Sequence, residues 1–334
     1  MRLLLGALLE ALPLVALALI AQWGREEQDR RRIVIGLMTF SSMVVFGIGI
    51  LVFLGGLFSS FLGNKGGGEV VSMSLWLLAG GTLSGLALLP TFRRFLRWVM
   101  PGDLESTAQI VGLWVFLFGL TFFLGIGSSF HLLEWLTALP EEQLATTMNM
   151  DPKTVLEGGI AFPLIALFGA GFPLKRNMGE VLYRLKLGKL KSKHWVWIFS
   201  FVGIGLGLDG LFSVLSQWIP GWGDQGVQKI LDQMAGGQQS TWTEVLLVAL
   251  AVGISAGIGE ELLFRGLLQP RFGNFLTSIF FASLHLQYGF TPVLIQLAVW
   301  SMVLGFVKNK TNTTVVILAH GLYDFIAVLL SGLG

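Results

Sequence analysis

The chain has 334 residues, of which 54% are hydrophobic, 44 are glycine and only 13% are charged. Soluble domains carry about 25% charged residues, so a soluble fold could neither bury this much apolar surface nor cover itself with so few charges. The net charge of +2 is too small to indicate a nucleic-acid-binding protein, and the absence of cysteine excludes disulfides, thiol catalysis, iron–sulfur clusters and cysteine–zinc sites. The composition predicts an all-α, polytopic transmembrane helix bundle.

Ten apolar stretches have roughly the length of a membrane span, about 17–25 residues. In chain order they are residues 3–23, 33–61, 70–90, 108–136, 158–174, 195–217, 243–263, 274–288, 291–307 and 314–333. The eighth and ninth are short, so a re-entrant or half-buried segment is an alternative there. The first looks like a signal peptide, but Glu10 interrupts its apolar core and a cluster of arginines follows it. We interpret it as a retained helix.

Lysine and arginine are distributed unequally between the loops that join these stretches. With the N-terminus outside the cytoplasm, the inner loops receive 18 of the 22 basic residues. The outer side then receives only four, Arg2, Lys65, Lys153 and Lys229. Because cytoplasmic loops are enriched in lysine and arginine, both termini are expected outside the cytoplasm.

Two polar loops divide the sequence into regions. The outer loop 137–157 carries Glu141, Glu142 and Asp151, and the inner loop 175–193 carries seven basic residues. We divide the chain into an N-terminal transmembrane region of unknown role (1–174), a basic cytoplasmic loop or amphipathic helix (175–194) and a C-terminal transmembrane region (195–334). The apolar residues of the inner loop are spaced like one helix face, which suits a helix on anionic lipid headgroups. They are Met178, Val181, Leu182, Leu185 and Leu187. A solvated loop that only sets topology fits equally well.

Ionisable residues inside apolar spans are costly and usually face the protein interior or a wet cavity. Nearly all of those we single out lie in the last 90 residues of the chain: Glu260, Glu261, Arg265, His285, His320 and Asp324. The other two histidines, His131 and His194, fall at expected membrane boundaries. There a histidine needs no functional role.

The spacing of these residues predicts which side chains meet. Glu261 and Arg265 are four apart and can pair on one helix face, whereas Glu260 is rotated by about 100° and points to different neighbours. His320 and Asp324 are also four apart, so the aspartate can hydrogen-bond the imidazole and fix its tautomer. Carboxylates and imidazoles on three apolar helices can activate a water and stabilise the oxyanion that forms.

Three short motifs in this region resemble those of a known family. Gly259-Glu260-Glu261-Leu262-Leu263-Phe264-Arg265-Gly266 resembles the EExxxR motif of the CAAX protease and bacteriocin-processing family, whose intramembrane peptidases include the type II CAAX prenyl endopeptidases. Phe281-Ala282-Ser283-Leu284-His285 resembles the family's FxxxH motif, and His320-Gly321-Leu322-Tyr323-Asp324 resembles its HxxxN motif. Their order and gaps make the combined match specific. The resemblance covers roughly residues 243–333.

The resemblance implies a role for each matched residue. Glu260 and His285 would activate the attacking water, Glu261 and Arg265 would support the site, and His320 and Asp324 would stabilise the oxyanion. Asp324 departs from the commoner asparagine, because an ionised aspartate cannot donate a hydrogen bond. Either Asp324 is protonated, or it orients His320 and leaves that histidine as the donor. We favour the second interpretation.

The expected activity is therefore intramembrane proteolysis of a peptide or protein substrate in or at the lipid bilayer, in a multi-pass protein of a prokaryotic inner membrane, with no nucleic-acid partner. Zinc is an alternative cofactor, since Glu260, His285 and His320 could serve as metal ligands in a metalloprotease. There is no HExxH motif, however, and the candidate ligands come from separate helices. We favour a water activated by glutamate without a metal.

Three other interpretations remain beside the peptidase. The polar residues could serve only to hold helices together through interhelical hydrogen bonds. A catalytically inactive scaffold or bacteriocin-immunity-like protein of the same fold ranks second. A proton-coupled transporter using Glu260 or Asp324 ranks last, because it predicts inverted repeats, whereas the ionisable residues crowd into one half of the chain.

Overall fold

A computed structural model describes residues 2–25, 27–64, 66–128, 152–218, 241–285 and 292–331. Every regular element within these ranges is helical, which confirms the all-α class. His131, Glu141, Glu142 and Asp151 lie outside the described residues, as do parts of the stretches predicted at 108–136, 274–288, 291–307 and 314–333.

Thirteen α-helices and two π-helical turns make up the described ranges. The first five helices are α1 (Arg2–Trp23), α2 (Gln28–Phe61), α3 (Gly67–Leu86), α4 (Pro90–Leu96) and α5 (Thr107–Ser128). The later elements are α6 (Pro152–Gly158), α7 (Ala161–Ala170), α8 (Met178–Arg184), α9 (His194–Ser216), α10 (Trp242–Ile254), the π-helical turns Ser255–Glu260 and Leu262–Leu268, α11 (Gln269–Ser283), α12 (Val293–Lys310) and α13 (Thr313–Ser331).

Among the described residues, fewer helices qualify as membrane spans than the ten that the sequence predicts. Six helical segments in the described ranges are long and apolar enough to cross a membrane, or seven if the pair α3 and α4, bent by 93°, counts as one. The ten predicted spans are therefore not confirmed. Within the predicted stretch 158–174 lies α7 (Ala161–Ala170), whose ten residues are too few to cross a membrane.

The stretch predicted at 243–263 and residues 274–283 of the next one belong to one apolar helical segment, Trp242–Ser283, of 42 residues. At 1.5 Å per residue this segment would be about 63 Å long, roughly twice the hydrocarbon thickness of a bilayer. Gly273 interrupts it, with φ 78° and ψ 169°. Glycine adopts this conformation readily because it has no Cβ, so the break occurs at this residue.

The chain folds into two compact units. One unit is built by α2 to α5, and within it the buried Arg93 bonds Glu105 at 3.0 Å. The other unit contains α6 to α10, the π-helical turns, α11 as far as Ala282, and α12 and α13. The contacts among Glu261, Arg265, His320 and Asp324 that are described below lie in this second unit. The predicted division at residues 175 and 195 concerns sequence regions and stays a prediction.

Glycines bring two helices of the second unit into backbone contact. A Cβ added to Gly253 on α10 would lie 2.5 Å from the carbonyl oxygen of Gly321 on α13. A Cβ on Gly257 would lie 2.6 Å from the carbonyl oxygen of Ile317. Small residues at membrane helix interfaces allow this close approach. The contact sets the π-helical turns beside α13.

The basic segment 175–193 forms only a short helix. A reciprocal cap between Asn177 and Glu180 starts α8, which ends at Arg184. Two of the apolar positions predicted to share a face, Val181 and Leu185, are fully buried. Thr313 Oγ1 donates a hydrogen bond to the Leu185 carbonyl oxygen at 2.6 Å. Part of the predicted lipid-facing surface is therefore packed inside the protein.

Candidate active site

The EExxxR motif lies where α10 widens into π-helical turns. Glu260 ends the first turn, Ser255–Glu260, and Arg265 lies inside the second, Leu262–Leu268. π-Helical turns are rare in proteins, and those that do occur often lie at functional sites. Together with the glycine contacts to α13, they place the charged side chains of the motif between helices rather than toward lipid.

Glu261 and Arg265 form a fully buried ion pair. Arg265 Nε lies 3.1 Å from Glu261 Oε2, and both side chains are 0% exposed. The pair that the i,i+4 spacing predicts is therefore present. Arg265 Nη2 also donates to Ser301 Oγ at 2.6 Å, which connects the π-helical turn to α12. The Ser301 contact was not predicted, because periodicity along one helix carries no information about its neighbours.

The imidazole of His320 lies between two carboxylates. Its Nδ1 is 2.8 Å from Glu261 Oε1, and its Nε2 is 3.3 Å from Asp324 Oδ2. The contact with Asp324 is the one that the spacing predicts, whereas the contact with Glu261 was missed. His320 is 4% exposed and Asp324 is 20% exposed, so the site opens on the side of Asp324.

Glu260 differs from its neighbour Glu261 in its surroundings. Its side chain is only partly buried, and among the residues that the structure describes it has no hydrogen-bond partner. Adjacent carboxylates in contrasting environments are typical of sites in which one acts as an acid or base and the other is structural.

His285 lies two residues beyond the end of α11 at Ser283, and it is partly buried. This part of the chain is assigned to the unit of α2 to α5. The structure thus gathers Glu260, Arg265 and Asp324 in the second unit together with Glu261 and His320. The predicted partnership of His285 with Glu260 stays a prediction.

Sequence reasoning also missed Asp209 on α9. Its Oδ2 accepts a hydrogen bond from the Tyr323 hydroxyl at 2.5 Å, and its Oδ1 accepts one from Gln296 Nε2 at 3.1 Å. The signal was available, because Asp209 is the one Asp, Glu, Lys or Arg in the apolar segment His194–Leu215. The rule that singles out Glu260, an ionisable group within a span, applies to Asp209 as well.

The zinc alternative stays a prediction. Within the described ranges, no three His, Asp or Glu side chains are grouped so that they could hold a metal ion. Both ring nitrogens of His320 face carboxylates, and Glu261 is paired with Arg265.

Comparison with protein families gives one match. The family model described as type II CAAX prenyl endopeptidase Rce1-like matches residues 242–326. This match confirms the resemblance to the CAAX protease family over a segment that contains all three motifs. Neither the curated proteins nor the solved structures gave a match to the chain. The matched segment and the apolar helices together characterise an integral membrane protein with a region similar to a CAAX-type intramembrane protease.

Proposed function

We propose that this protein is an intramembrane endopeptidase that hydrolyses a peptide bond of a membrane-associated substrate. The observation that carries the proposal is the contrast between the two glutamates. Glu261 is fully buried and bonded to Arg265 and His320, whereas Glu260 beside it is partly accessible and has no hydrogen-bond partner among the described residues. A carboxylate in that position is able to bind a water and accept its proton.

The reaction needs no group beyond the side chains and one water. Glu260 takes a proton as the water oxygen attacks the carbonyl carbon, and the carbonyl π electrons move onto the oxygen. The oxyanion then collapses, the carbon–nitrogen bond breaks, and the leaving nitrogen takes the proton back from Glu260. The products are a carboxyl group and an amine. His285 would assist Glu260, as the resemblance implies.

The second group of side chains would stabilise the oxyanion. His320 is fixed through Nδ1 by Glu261, which is itself held by Arg265. The Nε2 contact with Asp324 is 3.3 Å, beyond the usual 2.7–3.2 Å for a nitrogen donor and an oxygen acceptor. Since both ring nitrogens face carboxylates, the imidazole would carry a proton on each, and Nε2 would donate toward the developing oxyanion while Asp324 keeps the ring oriented. Donors fixed in place before the reaction provide much of the stabilisation in such sites.

Substitution of Glu260 tests the proposal. Glu260→Gln keeps the shape of the side chain but cannot accept the proton, so cleavage of a membrane-presented peptide by purified protein should fall by about 10²–10⁴. The double variant with His285→Ala should lose little more than the worse single variant, because residues acting as a unit are not additive. Glu27→Gln, an exposed glutamate, is the matched control. Turnover near wild type in Glu260→Gln would refute the assigned role.

The same assay with a chelator tests the metal. Unchanged cleavage is expected when a glutamate activates the water. Complete loss of wild-type cleavage, restored by added zinc, would instead make Glu260, His285 and His320 metal ligands. A wild-type protein that binds membrane-presented peptides and cleaves none would favour the scaffold or immunity-like alternative.

A further inference from the structure

Asp209 lies outside the three motifs but is connected to them by direct contacts. It is the one Asp, Glu, Lys or Arg in an apolar segment of 22 residues, His194–Leu215. Burying a carboxylate in an apolar segment costs free energy, so the presence of Asp209 there indicates a specific role. Its two oxygens accept hydrogen bonds from two different helices, from Gln296 on α12 and from Tyr323 on α13.

The backbone of α9 comes close to the same residues one turn earlier. A Cβ on Gly205 would lie 2.8 Å from the Tyr323 ring and 3.1 Å from Trp300 Nε1. Gly205 therefore lets α9 pack directly on these two aromatic rings. Asp209, four residues later, lies on the same face of the helix and supplies the polar contact.

Ring contacts connect Tyr323, and through it Asp209, to His320 of the candidate site. The Tyr323 and Trp300 ring centroids are 5.0 Å apart, and the Trp300 ring meets the His320 imidazole edge-on at 4.6 Å. Tyr323 also directly precedes Asp324, whose Oδ2 faces His320 Nε2. A hydrogen bond that fixes the Tyr323 hydroxyl thus acts on the turn of α13 that carries Asp324 and on the ring that packs against His320.

We propose that Asp209 is a positioning residue that acts on His320 through Tyr323 and Trp300. The inference rests on the proposed function, in which His320 faces the reacting oxyanion. An aspartate suits the task because its two oxygens can accept from both donors at once, whereas an asparagine offers one oxygen and a competing N–H donor. The Tyr323 hydroxyl is partly buried, and a Tyr O–H in such a position usually has a hydrogen-bond partner, which Asp209 supplies.

The first test observes the imidazole directly and does not depend on activity. The chain has four histidines, so ¹⁵N-histidine labelling gives few ring signals, and His320→Asn identifies those of His320. Tyr323→Phe, and separately Asp209→Asn, should shift or broaden the His320 signals and leave the other three histidines unchanged. Tyr183→Phe, which removes a hydroxyl from a side chain 86% exposed, is the matched control. His320 signals that stay at their wild-type positions in Tyr323→Phe would overturn the proposal.

The second test separates positioning from a general structural role. Tyr323→Phe should lower kcat about tenfold to 10²-fold, the cost of a small misplacement of a reacting group, with KM within about twofold of wild type. In the His320→Asn background, Tyr323→Phe should lower kcat no further, because the imidazole that Tyr323 positions is absent. An equal loss in both backgrounds would overturn the proposal. Absence of cleavage by the wild-type protein would contradict the proposed function, and the histidine signals would still decide whether Asp209 positions His320.

Discussion

Replacement of Arg265 by methionine tests whether the buried ion pair holds the candidate site together. The Arg265 side chain is 0% exposed and contacts Glu261 at 3.1 Å and Ser301 at 2.6 Å. Methionine fills much of the same space but carries no charge. The Glu261 carboxylate would then stay in an apolar interior, with its contact to His320 Nδ1 but without its cation.

The expected loss follows from the burial of both partners. Breaking one side of a buried ion pair costs about 3–5 kcal/mol, since the remaining charge cannot be solvated. We therefore expect Arg265→Met to lower the free energy of unfolding by about 3–5 kcal/mol and to reduce folded yield. Removing both charges, in the Glu261→Gln/Arg265→Met double variant, should restore most of this loss, because neutral partners of similar shape are often tolerated.

The assay is unfolding by SDS in mixed micelles, followed by circular dichroism. Arg32→Met is the matched control, because Arg32 pairs with Asp29 at the surface and its side chain is 71% exposed. Its loss should stay below about 1 kcal/mol. An Arg265→Met protein within about 1 kcal/mol of wild type and fully active would refute the reasoning. So would a double variant that folds no better than the single one.

Three further predictions follow from other parts of the structure. Gly321→Ala should lower the free energy of unfolding by about 1–3 kcal/mol, because its Cβ would lie 2.5 Å from a backbone oxygen of α10. Gly203→Ala is the control, since a Cβ there meets nothing within 4 Å, and it should match wild type in the same unfolding assay. Lys189→Cys, in a chain without cysteine, should react only with reagents that reach the cytoplasm, and labelling from outside intact cells would contradict the topology. Asp324→Asn should keep cleavage close to wild type because it retains an acceptor for His320, whereas Asp324→Val should not; equal losses would argue against an orienting role.

The two pairs within single helices could be predicted from the sequence. Glu261 with Arg265 and His320 with Asp324 are each four residues apart, and helical geometry alone brings such residues together. Contacts between different helices have no fixed spacing in the sequence. The Glu261–His320 bond depends on how α13 packs on the π-helical turns, and nothing periodic in the chain reports that packing.

The number of spans was harder to predict than the helical class. Hydropathy measures how long an apolar stretch is, but it does not report where the backbone breaks. Gly273 interrupts one apolar segment of 42 residues, and the stretch predicted at 158–174 contains α7, a helix of only ten residues. Asp209 lies outside the three motifs, and only the helix packing shows that it contacts Tyr323 and Gln296.

The glycine contact between α10 and α13 also affects how the site would respond to its membrane. Transmembrane helices tilt when the bilayer becomes thinner or thicker than their apolar length. Two helices whose backbones touch at Gly253 and Gly321 cannot tilt independently without separating at that point. They would therefore incline together as one body, and the 2.8 Å contact between Glu261 and His320 would keep its length. The geometry of this site should thus be insensitive to lipid chain length over a range in which the protein as a whole changes its inclination.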